Sequence, residues 1–300
     1  MTEQDGMKIL FVVNPGSGSN KTDWPTIINA HFKLSPHIIE LYNLPQDCNR
    51  ETISKKIQSV EPHMVVAVGG DGTVKLVAEC IVKTETLLGI LPAGSANGLA
   101  KELGISSKPE EALDVLVSRA VKKIHVTMVN GHMCIHLSDV GFNAFVVKEF
   151  NSQKGRGMWG YLKASLKVLF KNPHLKAEMS INNITIRREA AMIVIANGTK
   201  YGSGALINPA GKLDDTVFEV VAIKKVSFGE IFKMVVSHAK HDKTKTETFQ
   251  TNYLKMKLDK KRFFQVDGEF LGRVDMVEAV LIPDAISIVV PQKSEGGNLD

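Results

Sequence analysis

The sequence predicts an α/β domain followed by an antiparallel β domain. Up to about residue 125, continuous apolar runs alternate with segments of helical apolar spacing, a pattern typical of a parallel sheet covered on both faces. From about Val126 onward the runs are short, as expected for antiparallel strands. The chain has 300 residues and is 44% hydrophobic, so each domain can bury a core of its own.

Composition excludes several classes of protein. The first residues are polar, and no run approaches the roughly 20 apolar residues that a membrane-spanning helix needs, so we expect neither a secreted nor an integral membrane protein. The three cysteines, Cys48, Cys80 and Cys134, lack metal-ligand spacing and are expected to be reduced core thiols of a cytosolic protein. The net charge of +5 favours phosphates or an anionic membrane surface as partners but decides nothing alone.

Three apolar runs in the first domain each end in a glycine-rich loop. The runs and their loops are 8–13 with 14–20, 64–68 with 69–73, and 87–91 with 92–98. Segments of helical spacing follow the second and third loops, at 74–82 and 99–103, and Gly104 would cap the latter. Because loops after parallel strands gather along one edge of the sheet, all three should line one crevice.

Such a crevice suits the phosphates of a nucleotide. Glycine lets backbone N–H groups approach an anion closely, and helix N-termini add positive dipole ends. A single G-S-G loop is an ordinary turn as often as it is a phosphate site, but three such loops in register favour a phosphate site. None of them is a Walker P-loop or a Rossmann fingerprint. The predicted nucleotide-binding residues are Asn14, Pro15, Gly16, Ser17, Gly18, Gly69, Gly70, Asp71, Gly72, Thr73, Gly94, Ser95 and Asn97.

Asp71 is the acidic residue at the centre of this predicted cradle. A carboxylate there would repel phosphate unless it binds a metal ion, accepts a proton, or does both. The alternative is a structural Asp that makes an Asx turn to the next backbone amides, which is common in G-D-G sequences. The neighbouring glycine loops favour the functional interpretation.

These motifs resemble those of the diacylglycerol and sphingosine kinase catalytic domain. G-G-D-G-T at 69–73 and L-P-A-G-S-A-N at 91–97 are similar to its two signatures, and N-P-G-S-G at 14–18 to its opening motif. G-G-D-G-T is also similar to NAD kinase and phosphofructokinase sequences, so the later motifs favour the lipid branch. Those motifs are Tyr201-Gly202-Ser203-Gly204, Ile207-Asn208-Pro209, Leu213-Asp214-Asp215 and Val266-Asp267-Gly268-Glu269.

The resemblance implies a particular architecture. Residues 1–125 would form a doubly wound, mostly parallel nucleotide-binding domain like that of NAD kinase and diacylglycerol kinase, and whether 284–300 rejoins it stays open. Residues 126–283 would form a β-sandwich that holds the lipid, with a cleft between the domains. The runs expected to be strands in this half are 191–196, 217–223, 253–258, 263–266 and 286–290.

The resemblance also implies roles for acidic residues. Asp71 and Glu269 would be catalytic, with Glu269 the general base aimed by the bend that Gly268 allows. Asp215 would belong to a magnesium loop. From local sequence alone, a hairpin turn with solvent-facing acids at 267–269 and a plain turn at Asp215 remain alternatives.

Residues 157–171 form a predicted basic, amphipathic helix. Lys163, Lys167 and Lys171 share one face, and the apolar residues fall largely elsewhere. This helix suits an anionic membrane interface, although a surface helix packed on the β domain with solvated lysines is the alternative. The basic run 240–245 is interpreted as a solvated loop, and no motif supports nucleic-acid binding.

The sequence therefore predicts an ATP-dependent, magnesium-requiring kinase that phosphorylates a hydroxyl of a membrane lipid, diacylglycerol or a sphingoid base. It would be cytoplasmic and bind peripherally to the inner face of the membrane, with a homodimer left open. The alternatives are a soluble-metabolite kinase of the NAD kinase type and a catalytically weak nucleotide- or lipid-binding regulator. The regulator is motivated by departures from the family pattern at Lys75, Leu76, Gly98 and His125.

Overall fold

The computed structural model describes residues 6–18, 22–45, 47–118, 120–151, 168, 174–199, 206–225 and 246–292. The chain forms two compact units. The first comprises Met1–Ile124 together with Asp284–Asp300, and the second comprises His125–Pro283.

The first unit is built on a parallel sheet. Its strands are β1 (Lys8–Val13), β2 (Ile38–Asn43), β3 (Met64–Gly69) and β4 (Leu87–Pro92). Their order is β2-β1-β3-β4, and Ile288, near the end of the chain, pairs in parallel with Leu88 of β4. Strand β3 is buried along its whole length, because helices cover both faces of such a sheet. The three predicted strands of this unit are confirmed.

Helices follow most of these strands. They are α1 (Trp24–Phe32), α2 (Arg50–Val60), α3 (Asp71–Ile81), α4 (Gly98–Glu102) and α5 (Pro109–Val117). Asp23 and Asn49 cap α1 and α2 by accepting hydrogen bonds from the N–H groups of Thr26 and Thr52. Helix α3 begins three residues before the predicted segment, because Asp71-Gly72-Thr73 already belong to its first turn. Gly104, with φ +73°, follows α4 as predicted.

The second unit consists mainly of antiparallel strands. The remaining strands are β5 (Val121–Val129), β6 (His132–Cys134), β7 (Leu137–Gly141), β8 (Leu175–Ile181), β9 (Ile184–Ala190), β10 (Met192–Ala196), β11 (Phe218–Ile223), β12 (Thr246–Thr251), β13 (Tyr253–Val266) and β14 (Glu269–Val289). Strands β12-β11-β10-β7-β13-β14 are neighbours in that order, and β8 joins β13 to β9. This unit is the expected β-sandwich. The runs predicted at 253–258 and 263–266 belong to the single strand β13.

Strand β10 shows why this half of the sequence contains continuous apolar runs. Ile193 and Ile195 belong to one buried apolar cluster, while Met192 and Val194 belong to another. Successive side chains of a strand point to opposite faces, so β10 is covered on both sides. Helix α6 (Phe142–Asn151) contributes to the second cluster and so covers one of these faces.

Several predicted segments cannot be compared with the structure. The motif at 201–204, the basic run 240–245 and the amphipathic segment 157–171, apart from residue 168, lie outside the described residues. Among the described helices, none combines the length and the apolar character needed to cross a membrane. The three cysteines are free thiols, but only Cys134 is buried, so the expectation of core thiols is wrong for Cys48 and Cys80, which are half-buried.

Candidate functional site

The three glycine loops of the first unit lie side by side at the carboxyl ends of β1, β3 and β4. The N–H of Asn14 donates to the carbonyl of Val68, at 3.0 Å, which ties the first loop to the end of β3. The N–H of Ala93 donates to the carbonyl of Gly69, at 2.9 Å, and ties the third loop to the second. The parallel register therefore brings together loops that are far apart in the chain.

Contacts between the loops require glycine at particular positions. A Cβ on Gly94 would lie 2.4 Å from the Cα of Gly70, and a Cβ on Gly18, whose φ is +67°, would lie 2.5 Å from the carbonyl oxygen of Ala93. A side chain at either position would push two loops apart. Gly72 differs, since a Cβ there would have no atom within 4 Å. The space beside Gly72 is thus open at the start of α3.

Two asparagines hold the shape of the loops. Asn14 accepts a hydrogen bond from the N–H of Gly16 at 3.0 Å and donates its amide to Thr73 Oγ1 at 2.9 Å. Asn97 accepts from the N–H of Gly94 at 2.9 Å and donates to the carbonyl of the same residue at 2.8 Å. Both were predicted to bind nucleotide. In the structure their amides bind other loop atoms, which preorganises the backbone.

Asp71 connects the second loop to the helix that follows the third. It is the first residue of α3, and its two carboxylate oxygens accept hydrogen bonds from the N–H groups of Gly98 (2.9 Å) and Leu99 (3.1 Å), which begin α4. These amides are not the ones that a local Asx turn would use. Because an ionised carboxylate has about four acceptor positions, each oxygen can still accept from, or coordinate, a further group.

The remaining predicted loop residues differ in exposure. Pro15, Gly16 and Ser95 are exposed, whereas Thr73 is buried. The N–H of Ser17 donates to the carbonyl of Asn14 at 3.1 Å and closes the first loop. The exposed positions lie on the side of the loops that a ligand can reach.

Gly98 stands where the family pattern often has an acidic residue, and its surroundings show what this difference does to the charge of the loops. Its N–H lies 2.9 Å from Asp71 Oδ2, so an acidic side chain at this position would stand beside the Asp71 carboxylate. Glycine removes that second negative charge. The loops therefore contain one central carboxylate where the family pattern often has more.

In the second unit, Asp267 and Gly268 form a two-residue turn between β13 and β14. Their φ angles are +49° and +84°, as in the tight turns that join antiparallel strands. Glu269 is the first residue of β14, pairs with Val266 across the ladder, and is exposed. The turn has the hairpin form that the local alternative described, and it leaves the Glu269 carboxylate accessible.

Asp267 lies in one of the motifs, but its local sequence indicates no specific partner. Its carboxylate accepts hydrogen bonds from the N–H groups of Ile135 (3.0 Å), His136 (2.9 Å) and Leu137 (3.2 Å). Its own N–H donates to the carbonyl of Leu137 at 2.9 Å. The hairpin that carries Glu269 is therefore anchored to the segment before β7. No local pattern reveals partners about 130 residues away.

A fully buried carboxylate that sequence reasoning missed lies next to this hairpin. Asp139 is fully buried and accepts hydrogen bonds from the side chains of Asn143 and Gln265 and from the N–H of Ala144. The carbonyl oxygen of the Gln265 side chain in turn accepts from the N–H of Gly268 at 2.7 Å. A chain of hydrogen bonds thus runs from a buried charge to the turn, and it makes the turn rigid.

Asn208, from the Ile207-Asn208-Pro209 motif, also binds a buried carboxylate. It is buried and donates its amide to the buried carboxylate of Glu219 on β11. Gln250 on β12 donates to the other oxygen of Glu219 at 3.0 Å. This motif therefore holds a loop against the sheet.

The Leu213-Asp214-Asp215 loop contains an unsatisfied acceptor. Asp215 Oδ1 is buried and has no hydrogen-bond partner in the described part of the chain, and the same holds for Asn197 Oδ1. Asn197 donates its amide to the carbonyl of His125 at 3.0 Å, and the N–H of His125 donates to the carbonyl of Leu213, in the same loop as Asp215, at 2.7 Å. Buried oxygens without a donor fit a hard cation such as Mg²⁺.

This loop alone does not provide a full set of acidic ligands. Among the described residues, no group of three or more His, Cys, Asp or Glu side chains has an arrangement that could hold a metal ion. An ion at Asp215 would therefore take most of its ligands from carbonyl, amide or water oxygens, as Mg²⁺ often does.

Comparisons with protein families cover both units. Residues 8–129 match the model of the diacylglycerol kinase catalytic domain, and residues 138–290 match that of the YegS C-terminal NAD kinase beta sandwich-like domain. A diacylglycerol kinase of Bacillus subtilis is 23% identical over 239 residues, which are 77% of this chain and 78% of that protein. A Synechocystis protein of uncharacterised function is 27% identical over 239 residues, 76% of this chain but only 54% of that protein.

Solved structures show the same fold. A diacylglycerol kinase from Bacillus anthracis superposes with a TM-score of 0.72 at 15% identity, covering 97% of this chain and 99% of that one. An NAD kinase from Archaeoglobus fulgidus, solved in complex with ATP, gives a TM-score of 0.57 at 12% identity, covering 96% of this chain and 94% of that one. At these identities the likeness concerns the fold alone.

Proposed function

Because the chain belongs to the diacylglycerol kinase-like family of lipid kinases, we propose that it transfers the γ-phosphate of ATP to a hydroxyl of a membrane lipid. Diacylglycerol and a sphingoid base are the acceptors that the proposal favours. Residues 1–125, with 284–300, would bind the nucleotide, and residues 126–283 would bind the lipid.

The observation that carries the proposal is the packing of the three glycine loops. Gly70 and Gly94 approach so closely that a Cβ on Gly94 would lie 2.4 Å from the Cα of Gly70, and Asn14 and Asn97 fix the loop backbones from within. Backbone N–H groups held in this way, beside the N-terminus of the 11-residue helix α3, favour bound phosphate groups. The ATP-bound NAD kinase of similar fold supports ATP as the donor.

In the proposed reaction, the lipid hydroxyl oxygen forms a bond to the γ-phosphorus as the bond from that phosphorus to the β,γ-bridging oxygen breaks. ADP leaves with the bridging oxygen, and the hydroxyl proton passes to the carboxylate of Glu269. Phosphoryl transfer depends mainly on positioning and on electrostatic stabilisation, and a positioned base contributes about 10²–10⁴-fold. The rigid turn at 267–268 would supply the positioning of Glu269.

Magnesium fits the residues present. Asp215, with its buried and unpartnered oxygen, would hold one ion, and the remaining lone pairs of Asp71 suit an ion that accompanies the triphosphate. When bound, Mg²⁺ offsets the negative charge of the phosphate groups.

An insoluble acceptor requires contact with a membrane. We therefore propose a cytoplasmic protein that binds peripherally to the inner face of the membrane, and the predicted basic segment 157–171 would contribute to that binding. The B. subtilis relative named diacylglycerol kinase supports a lipid acceptor.

The test is a transfer assay with γ-labelled ATP and Mg²⁺ against a panel of acceptors. Diacylglycerol, monoacylglycerol, a sphingoid base, ceramide and NAD would each be presented in mixed micelles to the wild type and to Asp71→Asn. A lipid labelled by the wild type and not by the variant would establish the kinase and name its substrate. Glu269→Gln should lower kcat about 100-fold with little change in the KM for ATP, and wild-type turnover in that variant would remove Glu269 from the mechanism.

The same panel separates the two other candidates. Labelled NAD would favour a soluble-metabolite kinase. The similar fold of the archaeal NAD kinase motivates this alternative. Binding of ATP without any labelled product would favour a regulator. This alternative is motivated by the single carboxylate, that of Asp71, which lies beside Gly98 where the family pattern often has a second acid.

A further inference from the structure

The second unit contains a small cavity with several cationic side chains at its edge. Its volume is about 310 Å³, and Gly141, Leu175 and Ala191 form part of its apolar wall. The cavity is named here the basic pocket, and the other residues that line it are Phe145, Phe263, His174, Lys260, Lys261, Arg262 and Arg273. None of these seven residues has a role in the proposed reaction.

The positive charge of the basic pocket is largely uncompensated. Arg262 is neutralised by Asp259, since one of its Nη atoms lies 2.9 and 2.8 Å from the two carboxylate oxygens. Lys260, Lys261 and Arg273 have no ion-pair partner among the described residues. Within the described part of the chain, three cations without a counter-ion thus line one concave site, which favours an anionic ligand.

An irregularity in the pairing of β13 with β14 exposes Lys260 and Lys261 to solvent. In the ladder between β13 and β14, Lys257 pairs with Met276, but the next pair is Arg262 with Val274. Four residues of β13 therefore face a single residue of β14. The extra residues project as a bulge, and Lys260 and Lys261 are exposed on it.

The Phe263 ring contacts Arg273 and one further cation, Lys148. The guanidinium of Arg273 lies 4.4 Å from the centroid of its ring, and the Lys148 ammonium lies 4.8 Å from it. The Phe145 ring packs against Phe263 with a centroid separation of 4.4 Å. Cation–π contacts hold a charge in place without neutralising it, so the N–H donors of Arg273 remain available to an anion.

We propose that the basic pocket binds the phosphate of an anionic lipid headgroup, such as that of phosphatidylglycerol. Arginine and lysine donors match phosphate oxygens, and aromatic rings beside lysines suit the membrane interface. The apolar wall gives the glycerol and the first part of the acyl chains a surface that a free phosphate ion would not use. The proposal deepens the proposed lipid-kinase function, because it assigns residues that hold the protein at its substrate surface.

The test measures binding to vesicles without ATP, so its outcome is independent of catalysis. Sedimentation with phosphatidylcholine vesicles, with and without phosphatidylglycerol, would compare the wild type with the double variant Lys261→Gln/Arg273→Gln. Each basic residue at an anionic surface contributes about 1 kcal/mol, so the variant should lose about thirtyfold in partitioning to the anionic vesicles. Binding to pure phosphatidylcholine should not change.

The matched control is Lys255→Gln/Lys257→Gln, which removes two exposed charges from the same strand outside the basic pocket. It should lose less than about threefold in partitioning. An equal loss in both variants would overturn the proposal, because it would show diffuse attraction of a basic protein. Full competition by inorganic phosphate at millimolar concentration would also overturn it, in favour of a soluble anion. Lys261→Arg, which keeps the charge at an exposed position, should retain binding within about threefold.

Discussion

The glycine loops of the first unit and the 267–269 hairpin of the second hold their functional groups by different means. In the loops, backbone packs on backbone, as at Gly70 and Gly94, and side chains such as Asn97 bind within their own loop. In the hairpin, the Asp267 carboxylate binds backbone amides about 130 residues away. The comparison shows that loops can be shaped by close backbone approach alone, whereas the turn beside an exposed acid is held by hydrogen bonds to distant backbone amides.

The largest expected effect concerns the carboxylate at the centre of the loops. Asp71→Asn keeps the side-chain shape but removes the charge and one of the two hydrogen bonds to the start of α4. Phosphate transfer should fall about 10³-fold, with a loss of about 1 kcal/mol in the free energy of unfolding. The transfer assay and urea unfolding measure the two effects, and Glu79→Gln on the same helix is the control. Loss of activity only in proportion to unfolding would assign Asp71 a purely structural role.

A glycine substitution tests whether the loops depend on close backbone approach. Gly94→Ala would place a Cβ 2.4 Å from the Cα of Gly70, so we expect a loss of about 3 kcal/mol in the free energy of unfolding and weaker ATP binding. Gly72→Ala is the matched control, because its Cβ would meet open space. Equal stability of the two variants, measured by urea unfolding, would contradict the packing argument.

Replacing each of the two neighbouring acids of the hairpin by its amide should change the stability of the protein to very different extents. Asp267→Asn leaves an amide facing N–H donors, so the free energy of unfolding should fall by about 2 kcal/mol. Asn tolerates the positive φ at this position, which isolates the hydrogen-bond effect. Glu269→Gln, at an exposed position, should change stability by less than about 0.5 kcal/mol. Comparable Tm shifts for both variants would argue against the anchoring role of Asp267.

The smallest effect concerns the loop at Asp215. If its buried oxygen binds Mg²⁺, adding the ion at ten times its Kd should stabilise the wild type by about 1.4 kcal/mol. Asp215→Asn should abolish this gain, and Asp214→Asn, at an exposed position of the same loop, should retain it. Thermal unfolding with Mg²⁺ and with EDTA measures the difference. A magnesium-dependent gain that survives in Asp215→Asn would place the ion elsewhere.

Much of the fold was predictable from local patterns. The strands β1, β3 and β4 are continuous apolar runs, and the glycine clusters mark where each ends. The parallel arrangement followed from the alternation of strands with helical segments, and it placed the three loops together. The antiparallel character of the second half was also predicted, but β13 was divided into two runs because its charged bulge at 259–261 interrupts the apolar pattern.

The sequence by itself determined the positions of the glycine loops and of the candidate acids, because glycine clusters, apolar periodicity and motif spacing are local properties of a chain. Only the tertiary structure decided what Asp71, Asp139 and Asp267 bind, and that Lys261 and Arg273 share one pocket. These contacts mostly join distant parts of the chain. They depend on strand register and on the geometry of turns and bulges, and no local pattern encodes the partner that a side chain will meet.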